Sequence, residues 1–305
     1  MNNTGFSLGG FLCTPRQGKR FLSVHAAHKK YGKLVRIAPN HVSIADDSAI
    51  QPVYGHGNGF LESDYYDAFV FIQRSLFNTR NGAEHTRKRK TIAHTLYTKS
   101  ISQFEEYMTS NLAAFTNSGT ASLNAHMEGS TSLDALHWFN YLAFDIIADL
   151  VFWQPFRMVE KGKISLRSVK HQILQLPTPQ LSKSSTVAAK TLQKWQLPES
   201  QHASTDCVDL LARLMEGKDE TGAKLGRAEL TAEALTQLIA GSDTTSKTSC
   251  ALLYWVLKTP GVLEKLQAEL DAALPVGTVV PQYIQVRDLK YMQCVINQTL
   301  QIHLT

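Results

Sequence analysis

A chain of 305 residues gives room for one large domain or two ordinary ones. Its 43% apolar and 19% charged content excludes wholesale disorder and allows a sizeable core. A net charge of +5 is too mild, and too poor in accompanying motifs, for a nucleic-acid binder. Lys and Arg gather in 28–36 (HKKYGKLVR) and 87–90 (RKRK), which read as solvated helix faces. The cysteines Cys13, Cys207, Cys250 and Cys294 are scattered, with no CxxC, so structural zinc is not expected and a reduced, intracellular chain is. The apolar stretch 5–13 is too short to span a bilayer and lacks a basic flank, so it reads as neither anchor nor signal.

In chain order, 34–37 (LVRI) and 41–45 (HVSIA) around Ala38-Pro39-Asn40 predict a β-hairpin. Beyond residue 46 the pattern is helical. Phe104, Met108, Leu112 and Phe115 recur at helical spacing over 104–115. Over 134–152 the helix is apolar on most sides, which predicts a central position. Residues 157–205, rich in Ser, Gln, Lys and Pro, predict a loop-rich segment. A helix is expected from Thr231, as N-cap, to Lys258. Another opens at Thr259-Pro260, with Leu263, Leu266 and Leu270 inward, and Pro275 follows it. A last helix begins near Asp288.

The stretch 237–255 (QLIAGSDTTSKTSCALLYW) carries chemistry. Apolar turns flank small polar residues from Gly241 to Ser249. Glycine costs about 1 kcal/mol inside a helix, Ser and Thr bond back to carbonyls and bend it, and a buried Asp243 needs partners. Two readings stand: a helix lining a wet cavity, where Gly241 admits a flat ligand and Asp243 and Thr244 relay protons, or a polar stripe at an interface.

The segment AGSDTT (240–245) resembles the oxygen-activating helix motif of the cytochrome P-450 family, the haem-thiolate monooxygenases. Other segments arrive in family order. YGKLVRIAPNHVSIAD (31–46) is similar to the first strands of fungal members, and AEHTRKRKTIAHTLYTKSISQFE (83–105) to their haem-propionate helix, with His85 and Arg89 as His-x-x-x-Arg. HWFNYLAFDIIADLVF (137–152) resembles their central helix, and ELTAEALTQLIAGSDTTS (229–246) the benzoate para-hydroxylase-like members. The resemblance implies one mainly α (α+β) domain over 1–305 with a small N-terminal β-sheet. It implies haem as cofactor, held at its propionates by His85 and Arg89. Ala240 and Gly241 would face the porphyrin, and Asp243 and Thr244 would manage protons. It also implies an NADPH-dependent reductase partner and a small lipophilic or aromatic substrate; the location within the cell, cytoplasmic or peripheral to the endoplasmic reticulum, is left open.

Residues 289–305 (LKYMQCVINQTLQIHLT) resemble the family's Glu-x-x-Arg helix, but Gln298 and Gln301 stand at the charged positions. Two amides hydrogen-bond without forming an ion pair. The family's cysteine loop has no counterpart; FSLGGFLCTP (6–15) imitates its spacing without the basic residue or the second glycine. No metal ligand is therefore assigned. Residues 157–205 read as contracted. The expectation is a monooxygenase-family chain cut before the iron-binding loop and inactive as written; the alternatives are a non-catalytic binding fragment and the product of a truncated gene.

Overall fold

In a computed structural model the described residues are 20–70, 73–93, 95, 102–124, 133–152, 156–162 and 210–303. The chain divides into two compact units, 1–62 and 63–305.

In the first unit helix α1 (Arg20–Tyr31) precedes strands β1 (Leu34–Ala38) and β2 (His41–Ile44), then a short helix α2 (Ile50–Tyr54). The strands pair antiparallel, Val35 opposite Ser43 and Arg36 opposite Val42, as the expected hairpin. Alternation puts Val35 and Ile37 on the inner face, where they meet Ala27 and Val24 of α1. His28 fastens helix to sheet: Nε2 bonds Ser43 Oγ and Nδ1 bonds Gly32 O, both at 2.8 Å.

The second unit is helical. After 3-10 turns at Asp64–Phe69 and Leu76–Asn78 come α3 (Gly82–Ala93), α4 (Glu105–Asn124), α5 (Ala135–Phe152), α6 (Met158–Lys161) and α7 (Leu210–Glu216). The long helix α8 (Arg227–Lys258) follows, then α9 (Val262–Ala273), α10 (Tyr283–Val286) and α11 (Lys290–Ile302). As its apolar surround predicts, α5 is central: it packs along α8 and touches α4, α6 and α7. Tyr141 and Phe144 of α5 meet Leu238 of α8 and Met158 and Val159 of α6. Val151 meets Phe104, Leu210 and Ala234.

Several boundaries differ from the sequence reading. Helix α8 starts at Arg227, four residues before Thr231, because Gly226 takes the N-cap and its N–H donates to Glu229 Oε2 at 3.3 Å. Pro260 does not open the next helix. Thr259 caps α8, Gly261 takes the left-handed conformation at φ 76°, and α9 begins at Val262. Leu263, Leu266 and Leu270 are half-buried, not fully inward. Helix α11 begins at Lys290, its first amides at Tyr291 and Met292 donating to the Glu269 carboxylate of α9 at 2.8 and 2.9 Å. Of 157–205, residues 157–162 are described; the rest lies outside the described residues, as do Cys13, Cys207 and the imitation loop 6–15.

Two carboxyls on α5 hold the bundle from within. Asp145, fully buried, accepts from the N–H groups of Met158 and Val159 at 3.0 and 2.9 Å, capping α6 after the left-handed Arg157. Asp149 accepts from Asn111 Nδ2 of α4 at 3.0 Å. Burial pushes both acids above their ordinary range, against these hydrogen bonds.

Candidate functional site: the open face of helix α8

The polar residues of α8 divide between two faces. Ser242 and Ser246 are buried on the α5 side. Their hydroxyls bond back to Leu238 O at 2.8 Å and Asp243 O at 3.1 Å, as expected for such residues inside a helix. Asn140 of α5 reaches Ser246 Oγ at 3.4 Å. Ala240, Asp243, Thr244 and Lys247 share the exposed face.

Gly241 is half-buried, with α5 close on one side. A Cβ there would stand 2.9 Å from Ile147 Cδ1 and 3.0 Å from its Cγ1. The glycine is required by the close approach of α5 and α8. Asp243 is not a buried carboxylate: it is exposed, with Lys247 Nζ at 3.9 Å. Thr244 Oγ1 donates to Ala240 O at 2.7 Å, so its hydroxyl is oriented along this face, one turn from the acid.

On α3, His85 is half-buried and Arg89 exposed, one turn apart. Their neighbours are all paired. Arg87 Nη2 meets Glu229 Oε1 of α8 at 2.6 Å, and Lys90 meets Glu220. Lys88 Nζ donates to Arg74 O and lies 3.5 Å from both Glu84 and Glu229. Arg89 alone of the four has no acidic partner among the described residues. An unpaired guanidinium one turn from an imidazole suits an anionic group such as a propionate. No hydrogen bond or ion pair among the described residues joins His85 and Arg89 to Asp243 and Thr244.

The basic run 87–90 is the solvated face that its sequence suggested only at Arg89 and Lys90, which are exposed. Lys88 is 0% exposed. Arg87 and Lys88 tie α3 to the start of α8, where Arg87 chiefly offsets burial and holds the Glu229 carboxyl below its ordinary value. In the sequence Glu233 reads only as a first-turn acid of the helix and Glu229 is not singled out; acids at the start of α8 were the available signal.

Residues 4–304 match the sequence profile of cytochrome P450. The chain belongs to the cytochrome P450 family. It is 52% identical to benzoate 4-monooxygenase bphA of Aspergillus niger, over 96% of this chain and 65% of that protein. The matched span there, 336 residues, is longer than this chain, so the relative carries residues that this chain lacks. Identity to cytochrome P450 monooxygenase ORF9 of Penicillium roqueforti is 27%, over 94% of this chain and 60% of that protein. The heme domain of cytochrome P450DA superposes with a TM-score of 0.74 at 18% identity, covering 92% of this chain and 64% of that structure. The chain thus spans about two-thirds or less of the length of these relatives.

The mainly helical P450 fold with its small sheet is therefore present, and haem is the family's cofactor. Among the described residues α3 carries the basic pair His85 and Arg89, and the exposed face of α8 carries Asp243 and Thr244. The described cysteines do not fit as the haem's axial ligand: Cys250 is within α8, Cys294 is exposed on α11, and neither stands in a glycine loop. Gln298 Nε2 donates to Gln301 Oε1, so an amide pair occupies the Glu-x-x-Arg positions. No helix among the described residues is long and apolar enough to cross a membrane.

Proposed function

We propose that this chain is the helix-rich portion of a fungal haem-thiolate monooxygenase that hydroxylates a small aromatic acid, taking electrons from an NADPH-dependent reductase. The supporting observation is the 52% identity to benzoate 4-monooxygenase over 96% of this chain. Haem supplies oxygen activation when bound. The chain's own contribution is to hold and protonate. His85 and Arg89 would hold the propionates, and Ala240 would leave room beside the helix. Thr244, oriented by its bond to Ala240 O, presents an oxygen that receives or passes a proton. Asp243, exposed and next to Lys247, exchanges protons with solvent.

A second reading, a non-catalytic binding protein, is favoured by one observation: neither described cysteine occupies a ligand loop. One experiment separates the two. The purified chain is titrated with haemin, reduced, treated with carbon monoxide, and its spectrum examined for thiolate ligation. It is then incubated with benzoate, NADPH and a fungal reductase. Thiolate-ligated haem with hydroxylated product carries the first reading; haemin binding without thiolate, and without product, carries the second. In either case Arg89→Ala is expected to weaken haemin binding by about tenfold, the effect of losing one charge-assisted hydrogen bond of about 1.5 kcal/mol.

A further inference from the structure

Glu233 stands two turns before Ala240 on α8 and is 2% exposed. Its Oε1 accepts from Leu76 N at 2.5 Å, which joins the turn Leu76–Asn78 to a residue 157 positions later in the chain. That turn carries a ring cluster, with Phe77 packed 5.3 Å from Tyr66 and 5.7 Å from Phe69. One turn along α8 from Glu233, Gln237 Oε1 is buried without a donor among the described residues. Residues four apart on a helix are neighbours, and a buried acceptor without a donor is costly. An ionised carboxylate offers no proton to such an acceptor; a neutral acid accepts through one oxygen and donates through the other.

We propose that Glu233 is a proton-operated latch: as the neutral acid it accepts from the Leu76 amide and donates to Gln237 Oε1, closing residues 73–80 on α8, and loss of its proton releases that segment. The proposal does not depend on the reaction assigned above. The charged groups on the packed elements are Arg74 and Arg80 in the segment itself, both paired with Asp67 of the preceding turn, Glu84, Arg87 and Lys88 on α3, and Glu229 on α8. Asp145 and Asp149 of α5 are bonded elsewhere.

Burial is the largest influence on this carboxyl and raises its pKa from 4.5 to about 7. The Leu76 bond and Lys88 pull the other way, and Glu229 adds to the rise. The closed form thus holds the proton more tightly than an open, solvated form, so opening releases a proton. The opening constant therefore rises with pH between about 4.5 and 7, by at most about tenfold per pH unit, and levels off above.

Amide hydrogen exchange of the full chain, read by mass spectrometry on fragments covering 73–80, tests this. After correction for the intrinsic rate, the opening constant is expected to rise at least about tenfold from pH 5 to 7 and to stay flat from pH 8 to 9. Glu233→Gln mimics the neutral acid, since its amide accepts from Leu76 and donates to Gln237. It is expected to hold the segment closed at every pH. A wild-type opening constant that is flat or falls with pH overturns the proposal, as does a variant that opens with the wild-type profile. The wild-type series decides by itself if the variant does not fold.

Discussion

Gly241 and Lys88 show how single positions are settled by what faces them. At Gly241 two effects oppose. Alanine would gain about 1 kcal/mol of helix propensity, but its Cβ would meet Ile147 at 2.9 Å, and overpacking costs about 1–3 kcal/mol. Gly241→Ala is therefore expected to lower stability, and Ile147→Val, which removes the contacting Cδ1, to recover about 1 kcal/mol in that background only. A double-mutant cycle in urea measures this coupling; additive effects would remove the contact as the reason for the glycine. Lys88 is fully enclosed among Arg74 O, Glu84 and Glu229. Lys88→Met keeps its volume and removes its charge. Because Glu229 retains Arg87, the loss is expected near about 2 kcal/mol, less than for a pair left wholly unpartnered. The Glu233 carboxyl should then titrate higher, since Lys88 pulls it down. Carboxyl NMR of labelled Glu checks the direction.

At the scale of elements, short helices in this chain exist because longer ones cap them. Helix α6 has four residues, too few to be stable alone. Its first amides are bound by Asp145 from the middle of α5, where Met158 and Val159 enter the core cluster. Asp145→Ala leaves two buried N–H groups without acceptors, at about 1–3 kcal/mol each. A loss of about 2–4 kcal/mol is expected in chemical denaturation, with Asp145→Asn milder because its carbonyl still accepts. A loss below about 0.5 kcal/mol would mean that α6 does not need the cap. Helix α11 receives the same service from Glu269 of α9.

For the whole molecule the balance of buried acids sets the response to pH. Asp145, Asp149 and Glu233 are raised by burial, so the folded chain binds their protons more tightly than the unfolded one. Their contribution to stability is present at low pH and lost as pH rises through the folded values. Asp46, lowered to about 2 chiefly by its bond from Ser48, and Glu229 act in the opposite sense, lost only as pH falls. The denaturation midpoint is expected to fall from pH 5 to 7, and Glu233→Gln to flatten most of that slope. A midpoint that rises over the window would reverse the assignment. The surface adds a second expectation. Leu253, Tyr254 and Leu257 on the last turns of α8 are exposed, as are Val276, Val279, Tyr283 and Ile284. Apolar surface of this extent promotes association. Sedimentation of the 305-residue chain should show concentration-dependent self-association, and Leu257→Lys should reduce it.

The hairpin around Pro39-Asn40 and the central helix 134–152 were legible in the sequence, because period-two and period-3.6 burial are local properties. Family membership was legible for the same reason: segments of fixed spacing arrive in a fixed order. Helix ends at Thr231 and Pro260 were misread, since a glycine just outside each one competed for the cap. Tertiary structure alone decided which basic residues of 87–90 are paired, that Gly241 serves a helix contact, and that Glu233 meets Leu76 from 157 residues away. Those outcomes depend on which helix lies opposite, and a run of charges or a lone glycine carries no record of its neighbour across the core.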